Sequence, residues 1–494
     1  MADAPSAPTA SSGVASAEWL AGGPGGADRL AQLLPAALRG MAAGTAERGG
    51  PVPAGGPAAV AATLARTLSA DGLPRHGVGA EQALEELSAL LAAGSADPGD
   101  PACAAHLHCP PLAVSVAADV VASALNPSMD SWDQAPVASE IEREFATGIA
   151  RLCYPDAARP DAVITSGGTE SNLLGLLLAR ESAVTRPVCG ANSHHSVARA
   201  AWLLGLPSPV VVPCVDDRMV PSALAEALAP LGAQAVVVAT AGTTNTGRID
   251  PLPEIAEICR RTGARLHVDA AYGGLALCSE TLRSRVAGLE LADSVALDLH
   301  KFGWQPVAAG VFAARGEADL QALTVRAEYL NADDDTEAGL PDLLGRSLRT
   351  SRRPDAFRMA VTLRALGTAG IGALVERCCA NASGVHAMVE DHPALRSWGP
   401  PELSTVVFRP VAADGAAGDE LVAQVRRTLL EDGTAVIGRG SLPTGPDGEA
   451  QLWLKLTLLH PHTQPADYRA LLDAVATVAA DLCTSVTGES PVAS

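Results

Sequence analysis

Lysine is the residue that this sequence most clearly lacks. Its 494 residues contain 35 lysines and arginines, and the lysines among them are Lys301 and Lys455. Arginine can replace lysine as a carrier of positive charge, but an amine forms an imine with an aldehyde at neutral pH and a guanidinium group does not. The two positions that keep an amine are therefore candidates for a chemical role.

Positive charge as a whole is also scarce. The formal net charge is −20, and no basic stripe runs along the chain. Nucleic acids and anionic membranes would repel such a protein, so both are excluded as partners. We expect a small-molecule substrate.

Three further absences bear on location. The ten cysteines include no CxxC pair, which indicates small buried residues in a reducing compartment rather than a disulfide framework. No uncharged apolar run reaches the roughly 18 residues of a membrane span. The first residues lack the basic region and apolar core of a signal peptide. We therefore expect a soluble, cytoplasmic protein.

The length predicts roughly two or three domains. Residues 1–15 are rich in alanine, serine and proline, which is typical of a disordered tail. Residues 16–95 carry apolar side chains at helical spacing and predict an N-terminal helical segment. We expect a large domain over residues 96–370 and a smaller C-terminal α+β domain over residues 371–494.

Within the large domain, short apolar runs alternate with helical segments between about residues 161 and 315. This alternation predicts an α/β fold with a largely parallel sheet that is buried on both faces. Ligands of such sheets bind beyond the carboxyl ends of the strands. The seven runs are DAVITS, RPVCGA, PVVVPC, QAVVVATAG, ARLHVDA, DSVALDL and AAGVFAA.

A glycine turn follows the first of these runs, in the sequence TSGGTESN at residues 165–172. Gly167 and Gly168 permit a close approach of the backbone, and the helix that follows offers free N–H groups and its positive dipole end to a phosphate. Thr169 adds a hydroxyl group. The motif is neither a Walker loop nor a GxGxxG turn. By itself it fits a plain helix N-cap equally well.

Two other runs end in charged residues. Asp269 ends the run Leu266–Val268, where a carboxylate is costly unless it meets a cation or hydrogen-bond donors. It either caps a loop or holds a heterocyclic nitrogen protonated. Lys301 ends the run SVALDLHK. It is either a solvated charge or a nucleophilic amine, and the scarcity of lysine favours the amine.

Two adjacent histidines, His194 and His195, begin another predicted helix. No acidic or cysteine ligand lies at a spacing that would complete a metal site. We therefore expect no metal. An imidazole that stacks on an aromatic cofactor is the favoured interpretation.

A phosphate turn, a carboxylate for a pyridine nitrogen and a Schiff-base lysine in one α/β domain together specify pyridoxal 5′-phosphate. On these residues the chain resembles the group II pyridoxal-phosphate-dependent amino acid decarboxylases of fold type I, with motifs closest to the L-2,4-diaminobutyrate and lysine decarboxylase branch. The resemblance covers about residues 100–370, and more weakly to about 465. The motifs, in the family's order, are HLHCPP, NPSMDSWDQAP, TSGGTESN, ATAGTTNTGRIDPL, HVDAAYGG, DSVALDLHK, AEYLN and SLRTSRRPDA.

The resemblance implies an α/β fold like that of aspartate aminotransferase, in which helices flank a mostly parallel seven-stranded sheet. It also implies an N-terminal helical segment and a small C-terminal α+β domain. The family forms homodimers whose N-terminal helices contact the partner, which would be the role of residues 16–95.

The resemblance also assigns residues. Lys301 would be the Schiff-base lysine, Asp269 the partner of the pyridine nitrogen, and His194 the imidazole stacked on the ring. Further cofactor contacts are implied for Gly168, Thr169, Thr244, Ala271 and His300.

The implied reaction converts an L-amino acid to its amine and CO₂. Some relatives deliver the final proton from a loop tyrosine, but residues 331–351 contain none. Tyr329 or His194 would then be the acid. A reaction that consumes oxygen and forms an aldehyde is the rival, because relatives without that tyrosine include such enzymes. We favour ordinary decarboxylation, because the diaminobutyrate and lysine branch also lacks this tyrosine.

For the substrate, the resemblance favours a small diamino acid such as 2,4-diaminobutyrate, ornithine or lysine. Asp130 and Asp133 would attract the second ammonium group, although a plain surface loop fits them equally well. The resemblance places a wall of the substrate pocket at Cys109, Pro110 and Pro111.

Two departures from the branch keep an aromatic or acidic substrate open. Pro354 stands where relatives usually carry an aromatic residue, and Phe302 and Trp304 follow the lysine where the diamino branch differs. Aminotransferase activity and a non-catalytic role are less favoured. The first fits the motifs less well, and the second does not explain why Lys301, Asp269 and His194 occur together.

Overall fold

The computed structural model describes residues 16–68, 73–324, 327, 330, 332–415, 417–443 and 448–487. The predicted tail, residues 1–15, and Tyr329 lie outside these ranges. The described chain forms two compact units. The first comprises the residues up to Cys103 together with Ser123–Asn126 and Arg427–Val436, and the second comprises the remainder.

In the described part of its N-terminal segment, the first unit forms the helices α1 (Gly26–Arg48), α2 (Gly56–Thr67) and α3 (Ala80–Gly94). Glycines allow α1 and α3 to pack closely. A Cβ atom at Gly40 would lie 2.3 Å from the carbonyl oxygen of Glu85, and one at Gly44 would lie 2.0 Å from that of Ala89. Larger residues at these two positions would therefore force the helices apart.

A seven-stranded sheet forms the centre of the second unit, with strand order β1-β9-β8-β7-β6-β2-β3. Strand β9 is antiparallel to both of its neighbours, and every other pair is parallel. The predicted α/β fold with a mostly parallel seven-stranded sheet is thus confirmed. The strands are β1 (Asp161–Thr165), β2 (Arg186–Gly190), β3 (Val210–Val212), β6 (Ala235–Thr240), β7 (Arg265–Asp269), β8 (Ser294–Asp298) and β9 (Gly310–Ala314).

The central strands are buried on both faces because their sequences are continuously apolar. In β6, Val236 and Val238 pack into one hydrophobic cluster, and Val237 and Ala239 pack into another. Successive residues of a strand point to opposite faces, so both layers of helices contact this strand. The helices of these layers are α5 (Pro136–Cys153), α6 (Gly168–Glu181), α7 (Ser196–Leu203), α8 (Pro221–Leu228), α9 (Leu252–Thr262) and α11 (Asp355–Glu390).

A four-stranded antiparallel sheet lies in the C-terminal part of the second unit, with strand order β10-β11-β13-β12. Its strands are β10 (Leu395–Ser397), β11 (Thr405–Pro410), β12 (Gly438–Pro443) and β13 (Ala450–Thr457), followed by α13 (Arg469–Thr487). The sequence predicts β11 and β13 by its apolar runs STVVFRP and QLWLKLTLL. It gives no sign of β10, which is three residues long, or of β12, whose sequence GRGSLP is poor in strand-forming residues.

The other helices and a two-stranded hairpin lie between these elements in the sequence. They are α4 (Ala113–Leu125), α10 (Asp333–Glu337), α12 (Gly418–Glu431) and the hairpin of β4 (Cys214–Val215) and β5 (Arg218–Met219). Short 3₁₀ turns also occur, at Trp132–Gln134, Gly232–Gln234, Gly274–Cys278, Arg283–Val286, Leu289–Leu291, Glu317–Leu323, Leu344–Arg346, Val411–Ala413 and Pro465–Tyr468.

Helix α11 is the longest, with 36 residues, and Gly367 interrupts it with a φ of 67°. A positive φ of this size is readily adopted only by glycine, so the helix bends here. Within the described ranges α11 is also the one helix whose length and composition would suit a membrane span. Buried core helices of globular proteins meet the same criterion.

A buried ion pair fixes the segment before α11. Both terminal nitrogens of Arg352 lie 2.6 Å from the carboxylate oxygens of Glu142 in α5. Both residues are buried, so loss of either partner would leave an uncompensated charge in the interior. The pair therefore fixes the SRRP segment of the chain against α5.

Candidate active site

The parallel strands of the large sheet point in one direction, so their carboxyl ends meet at one edge. Strands β1, β6, β7 and β8 end there at Thr165, Thr240, Asp269 and Asp298. A cavity of 400 Å³ opens at this edge. All eight residues predicted to contact a cofactor line it: Gly168, Thr169, His194, Thr244, Asp269, Ala271, His300 and Lys301.

The amine of Lys301 lies beside a buried carboxylate. Its Nζ atom is 3.0 Å from Oδ2 of Asp298, and Nε2 of His300 is 3.5 Å from the same oxygen. The other oxygen, Oδ1, is buried and has no hydrogen-bond partner within the described part of the chain. Asp298 was not among the predicted site residues. The signal was present in the sequence, since Asp298 ends a continuously apolar strand just as Asp269 does.

The carboxylate of Asp269 is held by two donors. The side-chain amide of Asn172 donates to Oδ2 at 2.7 Å, and the backbone N–H of Ala271 donates to Oδ1 at 3.1 Å. These bonds offset the cost of burying the carboxylate at the end of β7. Asp269 therefore remains a fixed acceptor that faces the cavity.

The glycine turn leaves no space for side chains. A Cβ atom at Gly168 would lie 2.9 Å from Cβ of Ala271, and one at Gly167 would lie 2.9 Å from Cε1 of His300. Gly167 also has a φ of 150°. Helix α6 begins at Gly168, so the start of a 14-residue helix faces the cavity, as an anion site requires.

His194 borders the cavity and is half-buried. Its Nδ1 atom lies 2.8 Å from Oγ of Ser196, and its ring centroid lies 4.1 Å from that of His195. Burial lowers the pKa of His194, and the nearby carboxylate of Asp269 partly opposes this shift.

Within the described residues, no group of three or more histidine, cysteine, aspartate or glutamate side chains is arranged to hold a metal ion.

The predicted substrate residues do not line the cavity around Lys301. Cys109 is buried and its Sγ atom lies 3.2 Å from the carbonyl oxygen of His300, and burial raises the pKa of this thiol to about 12. Asp130 accepts hydrogen bonds from Gln134 at 2.9 Å and from Ser351 at 3.3 Å. The residues outside the lining are Cys109, Pro110, Pro111, Asp130 and Asp133.

The two aromatic residues after Lys301 lie in the core. Phe302 and Trp304 are fully buried. The Phe302 ring packs 5.2 Å from that of Tyr272, and the indole N–H of Trp304 donates to the carbonyl oxygen of Leu459 at 2.8 Å. Neither residue lines the cavity around Lys301.

The second lysine, Lys455, is buried in β13 and lies beside the active-site loop. Its amine donates to the carbonyl oxygen of Thr244 and lies 3.3 Å from Oδ1 of Asn245. Gly438, opposite it in β12, leaves space for the lysine stem, since a Cβ atom there would lie 2.8 Å from its Cγ. Lys455 thus braces the loop that carries Thr244.

Lys455 gives a testable pH dependence. Burial lowers its pKa to about 8, whereas an unfolded lysine titrates near 10.4. The unfolded chain then binds more protons between these values, so this lysine makes the free energy of unfolding rise as pH increases from about 8 to 10.4. Urea unfolding of the wild type and Lys455→Met at pH 7, 8, 9 and 10 isolates this contribution from that of the buried cysteines, which both proteins share. The free energy of unfolding of the wild type should rise relative to that of the variant over this range, and equal pH dependence of both proteins would contradict the assignment.

Comparisons with known proteins identify the family of this chain. The pyridoxal-dependent decarboxylase conserved domain matches residues 65–411 of the chain. The chain belongs to the pyridoxal-dependent decarboxylase family. It is 38% identical over 430 residues to an L-2,4-diaminobutyrate decarboxylase of Rhizobium meliloti, covering 84% of this chain and 85% of that one. It is 33% identical over 422 residues to the enzyme of the same name from Acinetobacter baumannii, covering 78% and 81%.

Solved structures of this decarboxylase family share the fold. The glutamate decarboxylase domain of diaminobutyrate-pyruvate transaminase and L-2,4-diaminobutyrate decarboxylase from Vibrio parahaemolyticus superposes with a TM-score of 0.81 at 27% identity, covering 94% of this chain and 98% of that one. An Oryza sativa TDC solved with PLP and tryptamine gives 0.81 at 21% identity, covering 93% and 99%. The protein is a pyridoxal-phosphate-dependent amino acid decarboxylase of fold type I.

The cavity of this decarboxylase fits the cofactor. Its volume of 400 Å³ lies within the usual range for cofactor sites. The glycines at the start of α6 form a cradle in which a Cβ atom would clash. The amine of Lys301 and the carboxylate of Asp269 both line the same cavity. A phosphate site, a carboxylate and an amine are the three groups that pyridoxal phosphate requires.

Proposed function

We propose that this decarboxylase converts a small L-diamino acid, with 2,4-diaminobutyrate as the best candidate, into the diamine and CO₂. Two relatives above 30% identity over most of the chain carry the name of that activity. The net charge of −20 supports the proposal, because a negative protein attracts cationic substrates. The observation that carries the reaction class is the placement of Lys301, Asp269 and the glycine turn around one cavity.

Each of these residues has a proposed task. When bound, pyridoxal phosphate accepts the electron pair that is released as the substrate loses its carboxylate. The amine of Lys301 would hold the cofactor's aldehyde carbon, and Asp298 lies close enough to orient that amine. Asp269 would hold a proton at the ring nitrogen, so that the ring remains an electron acceptor.

The other cavity residues would bind and orient the cofactor. Gly168 and Thr169, at the start of α6, would bind the phosphate with backbone N–H groups and a hydroxyl group. His194 would stack on one face of the ring, and Ala271 would pack on the other. Thr244 and His300 would complete the contacts from two neighbouring loops.

The donor of the final proton to the product is assigned to His194 or Tyr329. His194 borders the cavity, whereas Tyr329 lies outside the described residues. The comparisons do not favour the rival reaction that forms an aldehyde, since the relatives of 38% and 33% identity both carry the name L-2,4-diaminobutyrate decarboxylase. Nor do they favour an aromatic or acidic substrate. For Cys109, Pro110, Pro111, Asp130 and Asp133, the roles in substrate binding remain proposals.

We also propose a cytoplasmic homodimer that binds neither nucleic acid nor membrane. Helices α1, α2 and α3 expose apolar side chains in numbers that favour an interface. Residues 16–95 would form this dimerisation segment, beside a cofactor-binding domain over 96–370 and a small domain over 371–494. The exposed residues are Leu38, Met41, Val60, Leu64, Leu87 and Leu91.

A panel of amino acids tests the substrate. We expect kcat/KM for L-2,4-diaminobutyrate to exceed that for ornithine and lysine by at least about tenfold, since each misplaced methylene costs roughly 1–3 kcal/mol. Glutamate, tyrosine and tryptophan should be poorer still, because they lack the second ammonium group. The measurement is release of ¹⁴CO₂ from carboxyl-labelled substrates. A higher kcat/KM for an aromatic or acidic amino acid would contradict the diamino assignment.

A further inference from the structure

A buried asparagine joins the carboxylate of Asp269 to the imidazole of His194. Asn172 lies on α6 and is fully buried. Its Nδ2 atom is 2.7 Å from Oδ2 of Asp269 and 2.8 Å from Oγ of Ser196. Its Oδ1 atom is 2.9 Å from Nε2 of His267. Every polar atom of this amide therefore has a partner inside the protein.

The chemistry of these partners fixes the direction of the hydrogen bonds. An ionised carboxylate only accepts, so the NH₂ group of Asn172 must face Asp269, and its second hydrogen goes to Ser196. The carbonyl oxygen of Asn172 then accepts from His267, which must carry its proton on Nε2. Its Nδ1 atom accepts from the hydroxyl of Ser294, 2.9 Å away. Burial lowers the pKa of His267 to about 4, in agreement with a neutral ring.

The hydrogen bond from Asn172 to Ser196 also determines the tautomer of His194. Because the oxygen of Ser196 accepts from Asn172, its own hydrogen is available for Nδ1 of His194, 2.8 Å away. The backbone N–H of Ser196 also points to this nitrogen, at 3.3 Å. Two donors on Nδ1 exclude a proton there in the neutral ring. His194 therefore carries its proton on Nε2.

We infer that Asn172 is a positioning residue that sets the hydrogen-bond roles of Asp269 and His194 together. It keeps Asp269 an acceptor and, through Ser196, it makes Nε2 of His194 a donor. The benefit for catalysis rests on the proposed roles of Asp269 and His194. The hydrogen-bond directions do not, since they follow from contacts in the protein alone.

The substitution Asn172→Asp tests this inference, because it keeps the shape of the side chain and removes the NH₂ group. A proton shared with the carboxylate of Asp269 would leave at most one donor where Asn172 supplies two. The new carboxylate would take the hydrogen of Ser196, which leaves only the backbone N–H of Ser196 as a donor to Nδ1 of His194. We expect the fraction of neutral His194 that carries its proton on Nδ1 to rise above that of the wild type. We also expect cofactor binding to weaken by roughly 10- to 100-fold, the usual effect of losing a partner that orients a primary ligand.

Asn381→Asp is the matched control. Asn381 is also buried, and its amide donates to Thr463 in the C-terminal part of the second unit. It should show a similar loss of thermal stability, with the His194 tautomer unchanged and cofactor affinity within about twofold of the wild type.

The readouts are ¹⁵N shifts of histidine side chains in the labelled full chain with its cofactor, with His194→Gln used for assignment, and the cofactor dissociation constant. A wild-type His194 protonated on Nδ1, or an unchanged tautomer in Asn172→Asp, would overturn the inference. Equal losses of cofactor binding in both asparagine variants would also overturn it. If Asn172→Asp does not fold, Ser196→Ala replaces it. That variant keeps the backbone N–H donor on Nδ1 and loses the hydroxyl donor. The Nδ1-protonated fraction of neutral His194 should therefore rise above that of the wild type, with cofactor affinity within about threefold, and an unchanged fraction would overturn the inference.

Failure of the proposed function would look different. If Asp269 did not serve the ring nitrogen, Asn172→Asp would still change the tautomer of His194 but would leave cofactor affinity unaltered. The tautomer of His194 therefore tests the hydrogen-bond directions. The cofactor dissociation constant tests whether these directions contribute to cofactor binding.

Discussion

Lys301→Ala is expected to abolish CO₂ release, lowering kcat by at least about 10³-fold, the scale on which loss of a covalent nucleophile acts in other enzymes. The reason is that an alanine offers no amine to hold the cofactor's aldehyde carbon. The measurement is single-turnover release of CO₂ from labelled 2,4-diaminobutyrate, with the cofactor in excess. Retention of more than a few per cent of wild-type activity would refute the assignment of Lys301.

Two comparisons separate the amine from its charge. Lys301→Arg keeps a positive charge near Asp298 but forms no imine, so it should lose as much activity as the alanine variant.

Borohydride treatment of the wild type followed by peptide mapping should place the reduced cofactor on Lys301. The other lysine of the chain is Lys455. A cofactor label on the peptide that contains Lys455 would show that Lys455, and not Lys301, binds the cofactor.

Asp269→Asn should lower kcat by about 10²-fold or more, as the loss of a preorganised electrostatic partner does elsewhere. The amide has the shape of the carboxylate but cannot hold a proton at the ring nitrogen. In the wild type, the carboxylate accepts one hydrogen bond from Asn172 and one from Ala271. The substituted amide has one oxygen and one NH₂ group, so one of these two donors would face another donor. The absorption spectrum of the bound cofactor should change with kcat.

A buried carboxylate elsewhere provides the control for this variant. Glu142→Gln makes the same chemical change in the pair with Arg352, away from the cavity. It should lower the free energy of unfolding, since breaking a buried pair costs about 3–5 kcal/mol, while kcat of the folded protein stays within about twofold. If Asp269→Asn behaved in the same way, Asp269 would be a structural residue.

The large sheet could be predicted from the sequence because its strands are continuously apolar. All seven predicted runs are strands, and the alternation with helices required parallel pairing. Only two of the four strands of the smaller sheet, β11 and β13, could be predicted. Strand β12 (Gly438–Pro443) contains two glycines and a proline, and it exists because β13 supplies its hydrogen bonds. Such a strand depends on tertiary contacts that no local pattern encodes.

The end of α3 shows the same limit on a smaller scale. In the sequence EQALEELSALLAAG, Gly94 follows the last apolar turn, and this pattern predicts that the helix ends just before it, since glycine often takes the position after the last turn. The structure instead includes Gly94 in the helix and ends it at Ser95, whose backbone is extended. Helix ends depend on where the chain must go next, so the glycine alone was not decisive.

For the active site, residues with strong local signals were found and residues that act through others were missed. Lys301 and Asp269 stand out because a charge ends an apolar run. Asn172 and Ser196 carry no such signal. Asn172 lies 97 positions before Asp269 in the sequence, so their contact appears only once α6 and β7 are packed together.

The central claim is that this protein removes CO₂ from a diamino acid and leaves the amine. The most direct test incubates the cofactor-loaded protein with L-2,4-diaminobutyrate in air and measures CO₂, 1,3-diaminopropane, aldehyde, oxygen uptake and peroxide together. We predict equal amounts of CO₂ and diamine, with no oxygen consumed and no peroxide formed. Aldehyde and peroxide in proportion to CO₂, or diamine in much smaller amount than CO₂, would contradict the account.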